Sequence, residues 1–184
     1  MEEPLRRHRA VTGRECGTCT WCCKVMNIKD LDKPAGQWCE HCDVGRGCRI
    51  YADRPPPCTR FACAWLDSTE WGPEWKPEKA KFVLEVNRQE KQVVVHLDPA
   101  MPDAWKRAPY QERIRGIMLA NVPTGGRVFL QAGGHVTVLL PDGEHRLGPI
   151  RESDTIVVKG KAGPGFTRFE ITVKSADGSI RTVD

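Results

Sequence analysis

The rhythm of hydrophobic and polar positions changes once along this chain. Through residue 66 apolar residues fall singly among turn formers such as Gly17, Gly36, Gly45, Gly47 and the run Pro55-Pro56-Pro57, and no helical or strand period persists. A stretch of this kind buries too little apolar surface for a core of its own. Segments of roughly 40–50 residues in that position need an external staple. Beyond Pro73 and Pro77 the pattern becomes regular. Residues 81–86 (KFVLEV) and 92–97 (QVVVHL) are rich in β-branched side chains and predict a hairpin closed around 87–90.

The spacing then predicts a helix over 103–121, with Asp103 as its N-cap and Ile114, Ile117, Met118 and Leu119 as its apolar side. Pro109 is expected to kink this segment or delay its regular part. Short strands are predicted over 127–131, 136–140, 155–159 and 166–174, with a last one at 180–183. Gly133-Gly134, Pro141-Asp142-Gly143 and Asp177-Gly178 supply the turns between them. Five of the six tryptophans lie between Trp21 and Trp75, placed to shield the first segment or to dock it on the second.

Composition changes this picture little. Hydrophobic residues at 40% and charged residues at 28% fit an ordinary globular chain. The net charge is only +4, and residues 1–66 carry 11 Lys/Arg against 8 Asp/Glu. Thiolates on a dication would cancel that excess, so neither a nucleic-acid nor a membrane partner is expected. No run approaches the roughly 18 apolar residues of a membrane span, and residues 1–14 lack the apolar centre of a signal peptide. The expected compartment is the cytosol, where thiols stay reduced.

The cysteines change it most. All nine fall between Cys16 and Cys63, as Cys16-x2-Cys19-x2-Cys22-Cys23, Cys39-x2-Cys42, Cys48, Cys58 and Cys63. An odd number cannot all pair within one chain, and clustered cytosolic cysteines point to metal. A CxxC turn places two sulfurs where both reach one tetrahedral ion at about 2.3 Å. Cys16-x2-Cys19 and Cys39-x2-Cys42, 19 residues apart, match a four-cysteine zinc site, with Cys22, Cys23, Cys48, Cys58 and Cys63 left for a second. Alternatively, Cys16-x2-Cys19-x2-Cys22 has the local spacing of ferredoxin-type ligation to a 4Fe–4S cluster, with a fourth thiolate from downstream. Thr59 and Ala64, not proline, follow the remote cysteines Cys58 and Cys63. His41 is a candidate replacement for one thiolate. Adjacent side chains diverge, so Cys22 and Cys23 serve different sites or one of them packs as a small hydrophobe.

The combination Cys16-x2-Cys19-x2-Cys22-Cys23, Gly47-Cys48-Arg49-Ile50-Tyr51, Arg54-Pro55, Cys58 and Phe61-x-Cys63 resembles the bacterial CxxCxxCC (YkgJ-like) cysteine-cluster family, described as zinc- or iron-chelating. A related motif occurs in flagellin lysine methylases, for which an iron–sulfur cluster has been proposed. The resemblance covers residues 16–66. It implies Cys16, Cys19, Cys22, Cys23, Cys48, Cys58 and Cys63 as ligands, to which the second knuckle adds Cys39 and Cys42. Residues 70–184 add nothing to it, and no methyl-donor motif is present, so methylase activity is not carried over.

The fold class expected from all this is α+β: a metal-stapled, turn-rich cysteine module (1–70) packed on a small antiparallel sheet with one principal helix (71–184). The expected function is zinc or iron–sulfur binding in an accessory role, with a protein partner met through the β-rich half. A redox protein or part of a modifying enzyme is the alternative. Arg54-Pro55-Pro56-Pro57 reads as a stiff turn aiming Cys58 at the metal, and Gly133-Gly134-His135 as a hairpin turn. His96, His135 and His145 show no metal spacing and no evident carboxylate partner, which favours structural or surface roles. Asp98 and Asp103 share a constrained loop, as an acid/base pair would require. No nucleophile–base arrangement suggests a catalytic residue.

Overall fold

A computed structural model describes residues 10–163 and 166–183, so the polar arm read over 1–14 is described only from residue 10. Among the described residues ten strands form three sheets. The largest has the order β3-β4-β5-β6-β7, from β3 (Phe82–Asn87), β4 (Gln92–Leu97), β5 (Arg127–Ala132), β6 (His135–Leu140) and β7 (Gly143–Pro149). A second has the order β10-β9-β8, from β8 (Thr155–Gly163), β9 (Phe166–Lys174) and β10 (Ile180–Val183). The third is a two-residue ladder of β1 (Cys42–Asp43) with β2 (Gly47–Cys48). The helices are short: α1 (Trp21–Val25), α2 (Pro56–Arg60), α3 (Ala64–Asp67), α4 (Pro77–Ala80) and α5 (Tyr110–Asn121).

This overturns the expected α+β fold with a small antiparallel sheet. Strands dominate, and the main sheet is five-stranded and mixed, because β4 and β5 run parallel. A parallel pair cannot be joined by a tight turn. The chain leaves β4, passes through α5 and returns to β5. Two further features escaped the sequence pattern. Strand β7 (GEHRLGP) has no β-branched residue and buries only Leu147, and β8 continues four residues past the run at 155–159.

The predicted hairpin is present, with Phe82 opposite Leu97 and Asn87 opposite Gln92. Asn87 Oδ1 closes it by accepting from the amides of Gln89 and Glu90, both at 3.1 Å. The two-residue turn Gly133-Gly134 joins β5 to β6 with φ of 54° and 86°, a primed turn that glycine adopts without strain. The helix expected over 103–121 divides: a 3₁₀ turn covers Ala104–Lys106, and α5 starts only after Pro109. Proline lacks the amide that a continuous helix would need there. Asp103 therefore caps nothing in α5 and pairs with Lys106 at 2.9 Å. Ile114 and Met118 are buried, Ile117 is half-buried, and Leu119 points to solvent at 56% exposure.

Alternation along β3 and β4 gives the main sheet two working faces. Phe82, Leu84, Val93, Val95 and Leu97 join Val128, Leu130 and Leu139 under Trp71, Trp75, Trp105, Ile114 and Met118. Trp75 contacts Trp71, Phe82 and Tyr110 edge-on at 4.7, 6.0 and 5.1 Å between ring centroids. At the β6–β7 end, Val138, Leu140 and Leu147 point the other way and bury Ile171 of β9. At the β3 end, that opposite face receives the cysteine segment. Val83 is fully buried there, beside the cysteines.

Ala64, Trp71 and Trp75 share one core cluster, so packing is continuous across residue 70. Lys24 of α1 pairs with Asp98, which is 2% exposed. Asp98 and Asp103 are thus no acid/base pair, since each carboxylate has its own lysine. Gly36 (φ 83°) and Gly133 both press on Pro99, where an added Cβ would come within 2.6 and 2.8 Å of its ring.

Candidate metal centre

Eight of the nine cysteines, Cys16, Cys19, Cys22, Cys23, Cys39, Cys48, Cys58 and Cys63, line one chamber of about 300 Å³. The ninth, Cys42, is buried just behind it, its thiol hydrogen-bonded to Cys23. All nine are free thiols. Residues expected from sequence to act together therefore meet, although they come from two CxxC turns, helices α1 and α2, strand β2 and the start of α3.

Local structure explains how. Cys16 and Cys19 bracket a tight turn, with the Cys19 amide donating to Cys16 O at 2.9 Å. Cys22 and Cys23 lie in α1, and the Cys39 amide donates to Cys23 O at 3.0 Å, which brings the second knuckle onto the helix. Cys42 donates to Cys39 O at 3.0 Å and faces Cys48 across the β1–β2 ladder. The proline run is a helix start: Pro55 is the N-cap of α2, Pro56 its first residue, and Cys58 sits in its middle. Cys63 is the N-cap residue of α3, and its sulfur accepts from the backbone of Leu66 and Trp65.

Burial dominates the electrostatics. It pushes the Cys16, Cys19 and Cys58 thiols upward, and the Cys42 and Cys63 thiols to about 11. Cys23 is raised above all of them, first by its hydrogen bond with Cys22 and then by burial. Cationic groups oppose this. Arg54 lowers Cys16 and Cys58, and Lys76 lowers Cys16. Lys33 is only 5% exposed, donates to Lys24 O at 2.9 Å and to Met26 O, and is close enough to feel Cys22, Cys23, Cys39 and Cys58. Sequence reading missed Lys33 and Lys76, because a lysine in a polar segment carries no signal of its burial.

The donor set fits a soft metal. Sulfur dominates the chamber, His41 contributes an imidazole to its wall, and among the described residues no carboxylate lines it. Hard cations such as Ca²⁺ and Mg²⁺ require oxygen ligands, whereas thiolates select zinc and iron–sulfur clusters. Among the described residues no three His, Cys, Asp or Glu side chains already converge on one point at metal-ligand geometry. The thiols surround a space instead.

Of the other candidates, His96 has the carboxylate partner that the sequence did not reveal. Its Nε2 lies 2.8 Å from Glu85 Oε2, and its ring meets Phe61 edge-on at 6.5 Å, on the sheet face under the cysteine segment. His145 likewise pairs with Asp142 at 2.9 Å. Neither lines the chamber. Among the described residues no helix is long and apolar enough to cross a membrane. Compared with known protein families, with characterised sequences and with solved structures, the chain matches none.

Proposed function

We propose that this protein binds zinc or an iron–sulfur cluster through its cysteine chamber and serves as an accessory module, with the metal as the staple of residues 16–66. The observation that carries the reading is the meeting of eight cysteines around one space that, among the described residues, no carboxylate lines. Buried thiols with raised pKa values are held neutral without metal, and a soft cation displaces their protons to gain strong thiolate bonds. The β-rich half, residues 71–184, is the platform for a protein partner. A redox role is the second reading. It is favoured by Tyr51, which lines the chamber yet is 56% exposed, so that the chamber wall reaches solvent.

Oxygen-free purification followed by visible spectroscopy and analysis for iron, zinc and sulfide tests this. Brown protein with matched iron and sulfide assigns the cluster, and redox titration then separates the staple from the electron carrier. Colourless protein with stoichiometric zinc assigns the staple. Wild-type protein that holds neither metal and takes up neither on reconstitution sinks the proposal.

A further inference from the structure

Resting on the metal-binding reading, we infer that the cysteines form two adjacent metal centres: Cys16, Cys19 and Cys63 hold one thiophilic cation, and the remaining thiols build the other. The division departs from the pairing of the two CxxC knuckles that spacing alone suggests.

Backbone geometry draws the line. Residues preceding Cys16 are fastened to α3 and its surroundings: Val11 N donates to Leu66 O at 2.9 Å, and Arg14 donates to Trp65 O and, at 2.9 Å, to Ser68 O. Since Cys63 heads α3, these bonds clamp the Cys16–Cys19 turn beside it. The other bonds run elsewhere. Cys39 is tied to Cys23, Cys42 to Cys39, and Cys48 faces Cys42. Hydrogen bonds between side chains link Cys22, Cys23 and Cys42.

Charge follows the same division. Cys63 is perturbed by Cys16 and Cys19, whereas Cys58 is perturbed by Cys23, Cys39 and Cys48. Each group has its own lysine. Lys76 lies near Cys16 and Cys19, and buried Lys33 near Cys22, Cys23, Cys39 and Cys58. Lys33 offsets the negative charge that several thiolates place on one dication, whereas Lys76 shares its charge with Glu78 at 2.9 Å. Arg54 and the Cys16–Cys23 proximity mark the seam between the two.

Three thiolates leave one of four tetrahedral positions to water or a small soft ligand, the arrangement of a reactive zinc site. The second group has thiols to spare and closes its ion completely.

The test uses the full chain, stripped of metal under reductant and reloaded with Zn²⁺ alone. Wild-type protein is expected to take up two equivalents. Cys63→Ser should lose one equivalent and keep the other, whereas Cys39→Ser should keep both because five thiols remain in its group, and the Co²⁺ band lost on Cys63→Ser should be that of a three-thiolate ligand field. Because a variant can fail to fold, the wild type loaded with the NMR-active isotope of cadmium is measured as well. Two resonances, shifted by different thiolate numbers, are expected. A single equivalent with a single resonance overturns the two centres while leaving metal binding intact. No uptake of Zn²⁺ or Cd²⁺ by the wild type sinks both readings together.

Discussion

A buried thiol keeps its proton, and that governs what the chamber residues do at the scale of single side chains. Burial lifts Cys42 and Cys63 to about 11 and raises Cys16, Cys19 and Cys58, while the hydrogen bond with Cys22 and then burial raise Cys23, so each is protonated near neutrality. Metal binding must expel those protons, and proton release makes affinity rise with pH. Log affinity is therefore expected to climb by about one per pH unit for each ligating thiol. Because the thiols are raised above their ordinary 9.0, that climb continues past the pH at which exposed cysteines would already be ionised. Competition titrations with a chromophoric chelator between about pH 6.5 and 10.5, corrected for the chelator's own protonation, measure the slope. A flat profile would mean that the metal is held by groups other than these thiols. The cysteine cluster was legible in the sequence, since cysteine at such density has few uses. Lys33 was not, because its charge takes part only after the fold buries it.

At the scale of elements, α5 shows how a helix can be read correctly in kind and wrongly in extent. Its apolar residues recur at helical spacing, but Pro109 removes an amide and moves the start to Tyr110. With the start shifted, Ile114 and Met118 face the sheet and Leu119 faces solvent. Ile114 is fully buried among Trp75, Phe82 and other core residues. Ile114→Ala removes three carbons from a packed site and should destabilise the protein by about 3–4 kcal/mol. Urea unfolding of the metal-loaded protein checks this, with metal content unchanged, and a loss below about 1 kcal/mol would place Ile114 outside the core. Strand β7 illustrates the opposite failure. A ladder formed by Glu144, His145 and Arg146 against β6 depends on the partner strand, not on local propensity.

At the scale of the whole molecule, the cysteine segment and the main sheet are joined along one seam. Val83, the Phe61–His96 contact, the Gly36–Pro99–Gly133 packing and the Lys24–Asp98 pair all lie on it. The carboxylate of this ion pair is 2% exposed, and removing the lysine leaves that charge buried without its cation. Lys24→Met should destabilise the fold by about 3 kcal/mol, and Asp98→Asn in the same chain should recover part of the loss. Thermal and urea unfolding of the single and double variants test this; equal stability of wild type and Lys24→Met would show the seam to be held by apolar contacts alone. From sequence alone came the hairpin, most of the later strands and the set of thiols, because each of these is written in local spacing or residue type. The parallel pairing of β4 with β5, strand β7, the burial of Lys33 and the sorting of eight cysteines around one chamber came only with the tertiary structure. Those features depend on which distant surfaces meet, and packing between residues far apart in the chain leaves no local period to read.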